Sequence, residues 1–141
     1  MSRQLATFTL GGARYGVDVL LVQEALRSQV RTPVPLAPPG VAGLVNLRGE
    51  VVLAVDLRVR LGLEPLAEGA DPMMVVVQVG EEPVSLLVDE VGDVVDVDES
   101  QFETPPDTLP AELREVIRGA YKLPTGLLLD LDVARATAHA A

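Results

Sequence analysis

The chain has 141 residues, a formal net charge of −10, 48% apolar residues, only 3% aromatics and no cysteine. That length suits one domain or two small lobes around a shared core, and the core must be aliphatic; disulfide and thiolate chemistry are excluded. The acidic balance disfavours nucleic acid and anionic membrane surfaces, the N-terminal Met-Ser-Arg-Gln lacks the apolar stretch of a signal peptide, and no segment is long and apolar enough to insert in a membrane, so a cytoplasmic protein is expected.

Leu5 to Leu10 alternates in the manner of a strand, Gly11-Gly12 is a hairpin signal, and Arg14 to Val19 is the return strand, with Tyr15, Val17 and Val19 on one face. Val22 to Leu26 fits a strand or a short helical turn. Val30 to Pro35 is extended, because a residue before proline is pushed towards β or polyproline geometry. Pro38-Pro39-Gly40 is a loop with room for one helical turn before Gly43. Gly43 to Arg58 (GLVNLRGEVVLAVDLR) is the organising stretch: strand, tight turn at Gly49, then Val51 to Val55, read as a strand buried on both faces. Asp56 and Gly62 punctuate the two ends of a short helix over Leu57 to Leu61, with Arg58 and Arg60 solvated.

Glu64 to Pro72, rich in proline and acid, is the expected linker. Met73 to Val79 and Val84 to Val88 are strands around a Gly80-Glu81-Glu82-Pro83 turn. Val91 to Val97 alternates valine with aspartate as a strand with one solvated face. Gln101 to Leu109 is an extended loop, and Pro110 to Ile117 a short helix with proline at its first position. Gly119 to Leu123 and Leu127 to Leu131 form a last strand pair, and Asp132 caps a helix over Val133 to His139.

The halves repeat. Leu10-Gly11 matches Val79-Gly80 at an offset of 69, and Gly43, Leu47, Val51, Val55 and Asp56 match Gly119, Leu123, Leu127, Leu131 and Asp132 at an offset of 76. Each half therefore reads hairpin, connection, glycine-led strand, turn, apolar strand, aspartate, which predicts two similar small β barrels that close most sheet edges.

Catalytic chemistry is sparse. The sole histidine, His139, lies in an alanine-rich tail, and the four serines have no histidine to activate them. There is no glycine-rich phosphate loop. The acids from Asp89 to Glu99 lack the spacing of a calcium loop and read as a strand face. Glu24 and Arg48 fit two unrelated surface charges or an orienting pair on a binding surface.

Phe8-Thr9-Leu10-Gly11-Gly12, Val22-Gln23-Glu24, Pro33-Val34-Pro35, the Asn46-Leu47-Arg48-Gly49 turn with Asp56-Leu57-Arg58 downstream, Leu86-Leu87-Val88-Asp89, Pro105-Pro106, Ile117-Arg118-Gly119 and Leu127 to Asp132 together resemble the CheW family, adaptors of bacterial chemosensory arrays, over essentially the whole chain. The resemblance implies a mainly β fold of two SH3-like five-stranded barrels, with approximate subdomains at 14–70 and 71–132 and a C-terminal helix at 133–140. It implies no catalysis, no cofactor and no metal. The implied role couples methyl-accepting chemoreceptors to the histidine kinase CheA, with recruitment to receptor arrays. Receptor contacts carry over to Val22, Glu24, Gly43, Asn46, Arg48 and Val88, and kinase contacts to the Met73 to Asp98 strands, represented by Val79, Gly80, Glu81, Glu82 and Val84. With nothing past the last helix, a fused receiver domain is not expected. An adaptor of a divergent chemosensory pathway is the alternative of the same class. A small-molecule-binding double barrel would need a polar pocket of paired ionisable groups.

Overall fold

The computed structural model describes residues 2–138. His139 and the end of the helix expected to reach residue 140 lie outside them. Among the described residues eleven strands make two sheets. The six-stranded sheet runs β8-β1-β2-β11-β10-β9, built from β1 (Ser2–Leu10), β2 (Ala13–Asp18), β8 (Glu90–Asp98), β9 (Phe102–Glu103), β10 (Ile117–Leu123) and β11 (Gly126–Leu131). The five-stranded sheet runs β3-β6-β7-β5-β4, built from β3 (Val22–Arg27), β4 (Val41–Leu47), β5 (Glu50–Asp56), β6 (Met73–Val79) and β7 (Glu82–Val88). Three short helices, α1 (Leu57–Arg60), α2 (Ala111–Val116) and α3 (Val133–Thr137), pack beside them.

The repeat holds at the level of register. Leu10↔Ala13 closes the β1–β2 hairpin as Val79↔Glu82 closes β6–β7. Leu47↔Glu50 and Leu123↔Gly126 close the other two hairpins, and both of those ladders carry a bulge just before their glycine, at Val41/Gly43 and Ile117/Gly119. The sixth strand breaks the expected count of five only nominally. It is the two-residue β9, paired Ala120↔Glu103, and its counterpart in the other sheet is the isolated bridge Thr32↔Leu44.

The expected boundary between residues 70 and 71 does not survive. The chain crosses over after each leading hairpin, so β3 pairs with β6, and β8 with β1. The parallel contacts Leu129↔Tyr15 and Leu53↔Val84 likewise join a hairpin of one half to a hairpin of the other. The five-stranded sheet is thus the continuous stretch 22–88, inserted into a six-stranded sheet that uses both flanks. The Glu64 to Pro72 segment does not separate lobes. Its Leu66 N–H donates to Asp56 Oδ2 at 3.0 Å, and the Leu66 side chain packs on the core of the five-stranded sheet.

Each sheet buries one face in a cluster of its own, and strands of both also pack into a shared cluster, which an aliphatic composition makes possible. Val45, Val52, Ala54, Met74 and Leu87 fill the five-stranded unit; Leu5, Val97, Tyr121 and Leu128 fill the six-stranded one. The largest cluster lies between them and takes Phe8, Tyr15, Val17, Val55, Val75, Leu86 and Val88 from strands of both sheets, with Leu57, Val116 and Val133 from the helices.

Several local expectations are revised. Val19 leaves the β2 face for a single 3₁₀ turn over Val19–Leu21, capped by Asp18, and Val22 to Leu26 is then strand. No helical turn precedes Gly43; Val41 already belongs to β4. Pro110 stands at the N-cap, one place before the helix. Glu82 and Pro83 belong to β7, which narrows that turn to Gly80-Glu81. Val51, expected in a strand buried on both faces, is exposed beside the hairpin turn.

Arg58 and Arg60 are structural, contrary to the solvated reading. Arg60 donates to the Ala136 and Arg135 carbonyls at the end of α3. Arg58 Nη2 donates to both Asp89 oxygens at 2.7 and 2.6 Å, and Asp89 also accepts the Gly11 N–H at 2.9 Å. That cluster ties α1 of one sheet to the β1–β2 turn of the other. Burial pushes the Asp89 carboxyl up, but the hydrogen bonds from Arg58 and Gly11 outweigh it and leave it below its ordinary 3.8. A lowered carboxyl stabilises the fold fully above its unfolded value, and the gain is lost as pH falls through the folded one. Arg58→Ala is therefore expected to cost on the order of 1–2 kcal/mol near neutral pH, with the difference from the parent protein shrinking below about pH 4, as read from urea midpoints across pH. A pH-independent difference overturns the assignment.

Candidate functional site

Arg48 and Gly49 form the two-residue turn between β4 and β5. Their φ values of +53° and +87° place both in the left-handed region that tight hairpin turns use. Left-handed backbone costs a non-glycine residue about 1 kcal/mol, and here it is held in place: Asn46 Oδ1 accepts the Gly49 N–H at 2.9 Å. Gly43, five residues before Arg48, serves the same hairpin from its other end. A Cβ there would lie 2.7 Å from the Thr32 carbonyl oxygen, and its φ is +136°. Glycine thus lets Thr32 and Leu44 exchange backbone hydrogen bonds at 2.8 and 2.9 Å.

The locked turn brings Arg48 to Glu24 on β3. Arg48 Nη2 donates to Glu24 Oε1 at 2.6 Å, and Nη1 donates to Oε2. The fork-on-fork pairing is the geometry in which a guanidinium holds a carboxylate best. β3 and β4 are the two edges of the five-stranded sheet, so this pair, with the Thr32 bridge, closes the sheet on itself. Hydrogen bonding from Arg48 draws the Glu24 carboxyl below its ordinary value and Glu24 raises the guanidinium in turn. Arg48 remains 76% exposed and Glu24 26%. The clasp is presented to solvent, with both guanidinium Nη atoms engaged by Glu24 and the Arg48 side chain otherwise exposed.

The other expected receptor residues divide. Asn46 is exposed beside the clasp, Val22 is partly buried against the central core, and Gly43 is buried and contributes backbone. Val88 is corrected: at 1% exposure it belongs to the inter-sheet core, where a partner cannot touch its side chain. Among the kinase candidates, Gly80, Glu81 and Glu82 are exposed at the β6–β7 turn and Val79 is partly exposed, whereas Val84 faces the core.

Sequence reasoning missed Val51. It is 66% exposed and borders two adjoining grooves on the five-stranded sheet. One, of about 380 Å³, is lined by Leu44, Glu50, Val51, Leu53, Glu81, Glu82 and Pro83; the other reaches Asn46 and Thr32. Its signal was the alternation next to the turn, masked by five consecutive apolar residues. Among the described residues no group of three His, Cys, Asp or Glu side chains is placed to hold a metal ion, and no helix is long and apolar enough to cross a membrane.

The CheW-like domain family model matches residues 4–141. The chain is 31% identical over 134 residues to the chemotaxis protein CheW of Treponema pallidum (strain Nichols), covering 92% of this chain and 79% of that protein. It is 33% identical over 121 residues to that of Rhizobium meliloti (strain 1021), covering 86% and 78%. Among solved structures it resembles the scaffolding protein TtCheW from Thermoanaerobacter tengcongensis, with a TM-score of 0.81, 26% identity, and coverage of 93% and 89%.

Arg48→Ala is expected to return the Glu24 carboxyl upward towards its ordinary 4.5, which a carboxyl-carbon NMR titration resolves. An unchanged Glu24 midpoint would mean the two side chains do not meet.

Proposed function

The chain belongs to the CheW-like domain family, and from that premise we propose that it is a non-enzymatic adaptor coupling the cytoplasmic tips of methyl-accepting chemoreceptors to a CheA-type histidine kinase. The observation that carries the reading is the Glu24–Arg48 clasp on a strained, side-chain-locked turn, with the Arg48 side chain largely exposed. A scaffold needs such a feature: a few charges fixed in register beside apolar ground choose the partner, while the surrounding area excludes water. The receptor tip engages Arg48, with Asn46 beside it. The kinase regulatory domain engages the neighbouring groove, where Val51, Leu53 and Pro83 offer apolar contact and Glu50, Glu81 and Glu82 form an acidic rim. Chemosensory work of this kind puts the protein in the cytoplasm beneath the receptor arrays.

The test is a pair of titrations, against a receptor signalling tip and against the regulatory domain of the cognate kinase. Arg48→Glu is expected to weaken receptor binding by tenfold or more (about 1.4 kcal/mol) with the kinase titration unchanged. Val51→Lys is expected to do the reverse. The charge swap Glu24→Arg with Arg48→Glu restores the internal pair but not the receptor contact, so recovery of receptor affinity in the double variant would overturn the contact and leave Arg48 a purely internal brace. Binding to neither partner by the folded parent protein would overturn the adaptor role.

A further inference from the structure

Strand β3 changes face part-way along. Val22 packs against the cluster between the sheets, whereas Leu26 packs inside the five-stranded unit. Residues four apart on a regular strand share a face, so an extra residue must stand between these two. Residues directly opposite on neighbouring antiparallel strands also share a face, and the register therefore locates the extra one. Val22 lies opposite Val77 and Glu24 opposite Val76, which makes Gln23 the bulge. Glu24 is thereby turned to the face of Leu26 and its partner Met74, where Arg48 meets it.

Burial of Val22 and Leu26 requires an extra residue between them but does not select which. Were it Ala25, Glu24 would stand opposite Val75, on the face of the central cluster, and would lose Arg48. The Gln23 side chain makes the selection. Its Nε2 donates to Gln78 Oε1 on β6, and Gln78 Nε2 donates to the Gly80 carbonyl at 3.2 Å in the turn beyond. The paired amides draw Gln23 towards the turn end of β6. That leaves the place opposite Val76 to Glu24.

The repeated sheet supplies a control, because each position has a register-matched twin. At the offset of 69 the twin bulge lies in β8. There Val91 is opposite Phe8, Val94 is opposite Ala6, and Gly92 and Asp93 both stand against Thr7. The buried Thr7 hydroxyl donates to the Asp93 carbonyl at 2.6 Å and fastens that bulge from within. The twin of Thr7 is Val76, which has no hydroxyl to offer. The twins of Gln23 and Gln78 are Gly92 and Thr9, so the sheet without the clasp has no amide pair at this place.

We propose that Gln23 and Gln78 are positioning residues of the receptor-binding clasp: their paired amides fix the place of the bulge and so hold Glu24 against Arg48. The link to receptor binding rests on the adaptor role; the effect on Glu24 rests on the register alone.

Gln78→Ala and, at an exposed position, Gln23→Ala test this in the whole protein. In each, the Glu24 carboxyl is expected to titrate higher than in the parent, part of the way to its midpoint in Arg48→Ala. Glu24 is also expected to lose part of its cross-strand NMR contact with Val76. Receptor-tip affinity is expected to fall roughly threefold or more, with the unfolding midpoint near the parent's. The double variant is expected to add nothing to either single one, because the two amides act as a pair. An unchanged Glu24 midpoint and register in the folded variants overturn the positioning role, as do two single effects that add. Unchanged receptor affinity in Gln78→Ala, where Arg48→Glu weakens it, overturns the role in binding. If neither variant alters receptor affinity while Glu24 still shifts in Gln78→Ala, the positioning stands and the adaptor contact fails.

Discussion

Two parallel rungs hold the molecule to its shape. Tyr15 meets Leu129, and Val84 meets Leu53, each time joining a leading hairpin from one half of the chain to a trailing hairpin from the other. Parallel neighbours cannot be linked by a tight turn, so they demand a long excursion of the chain. Here the excursion from β2 to its parallel partner β11 takes in the whole second sheet. Neither half can complete a sheet by itself, and the largest core cluster draws on both. A chain so interleaved is expected to unfold as one cooperative unit, because opening either sheet exposes faces of the other.

Local chemistry was legible and pairing across the halves was not. The offsets of 69 and 76, read from glycines, an aspartate and matched apolar residues, reappear as identical registers down to the bulges before Gly43 and Gly119. Asp56 and Asp132 cap the helices they were expected to cap. Period-two alternation, however, says that a segment is a strand and gives no information about its neighbour, so the crossover after Asp18 and Asp89 left no local trace. The same reason hid the role of Arg58, whose partner Asp89 lies a sheet away in the chain. Val88 and Val51 show the complementary difficulty. Both stand in unbroken apolar runs, where the run conceals which face each residue occupies; one is buried in the centre and the other points to solvent.

The places where the twins diverge are the informative ones. Arg48 has Pro124 as its counterpart and Glu24 has Asp93, so only the five-stranded sheet carries the clasp. Arg3 and Asp130 face Pro72 and Ala54, so only the six-stranded sheet carries an arginine–aspartate pair at that place. A duplicated architecture solves its packing problem twice. Where both copies use aliphatic residues, packing explains the choice. Where one copy installs a charge at a position the other fills with proline or alanine, stability does not explain it, since a buried ion pair seldom improves on a well-packed apolar substitute.

The distribution of cations sharpens this. The chain carries 11 basic residues against 21 acidic ones. Arg3, Arg58 and Arg60 are turned to internal partners, bracing strands of one sheet, joining the two sheets and closing a helix end respectively. Spending arginines inside leaves the outer surface more acidic than the composition alone suggests, which keeps an aliphatic protein dispersed and disfavours indiscriminate contacts. Against that background an outward cation is conspicuous to a partner bearing carboxylates. Arg48 meets that description, and its turn is held by Asn46, its head by Glu24 and its hairpin by Gly43. A side chain so constrained loses little entropy when it is recognised, and a rigid, sparsely charged surface of that kind can hold a partner in one orientation without any moving part of its own.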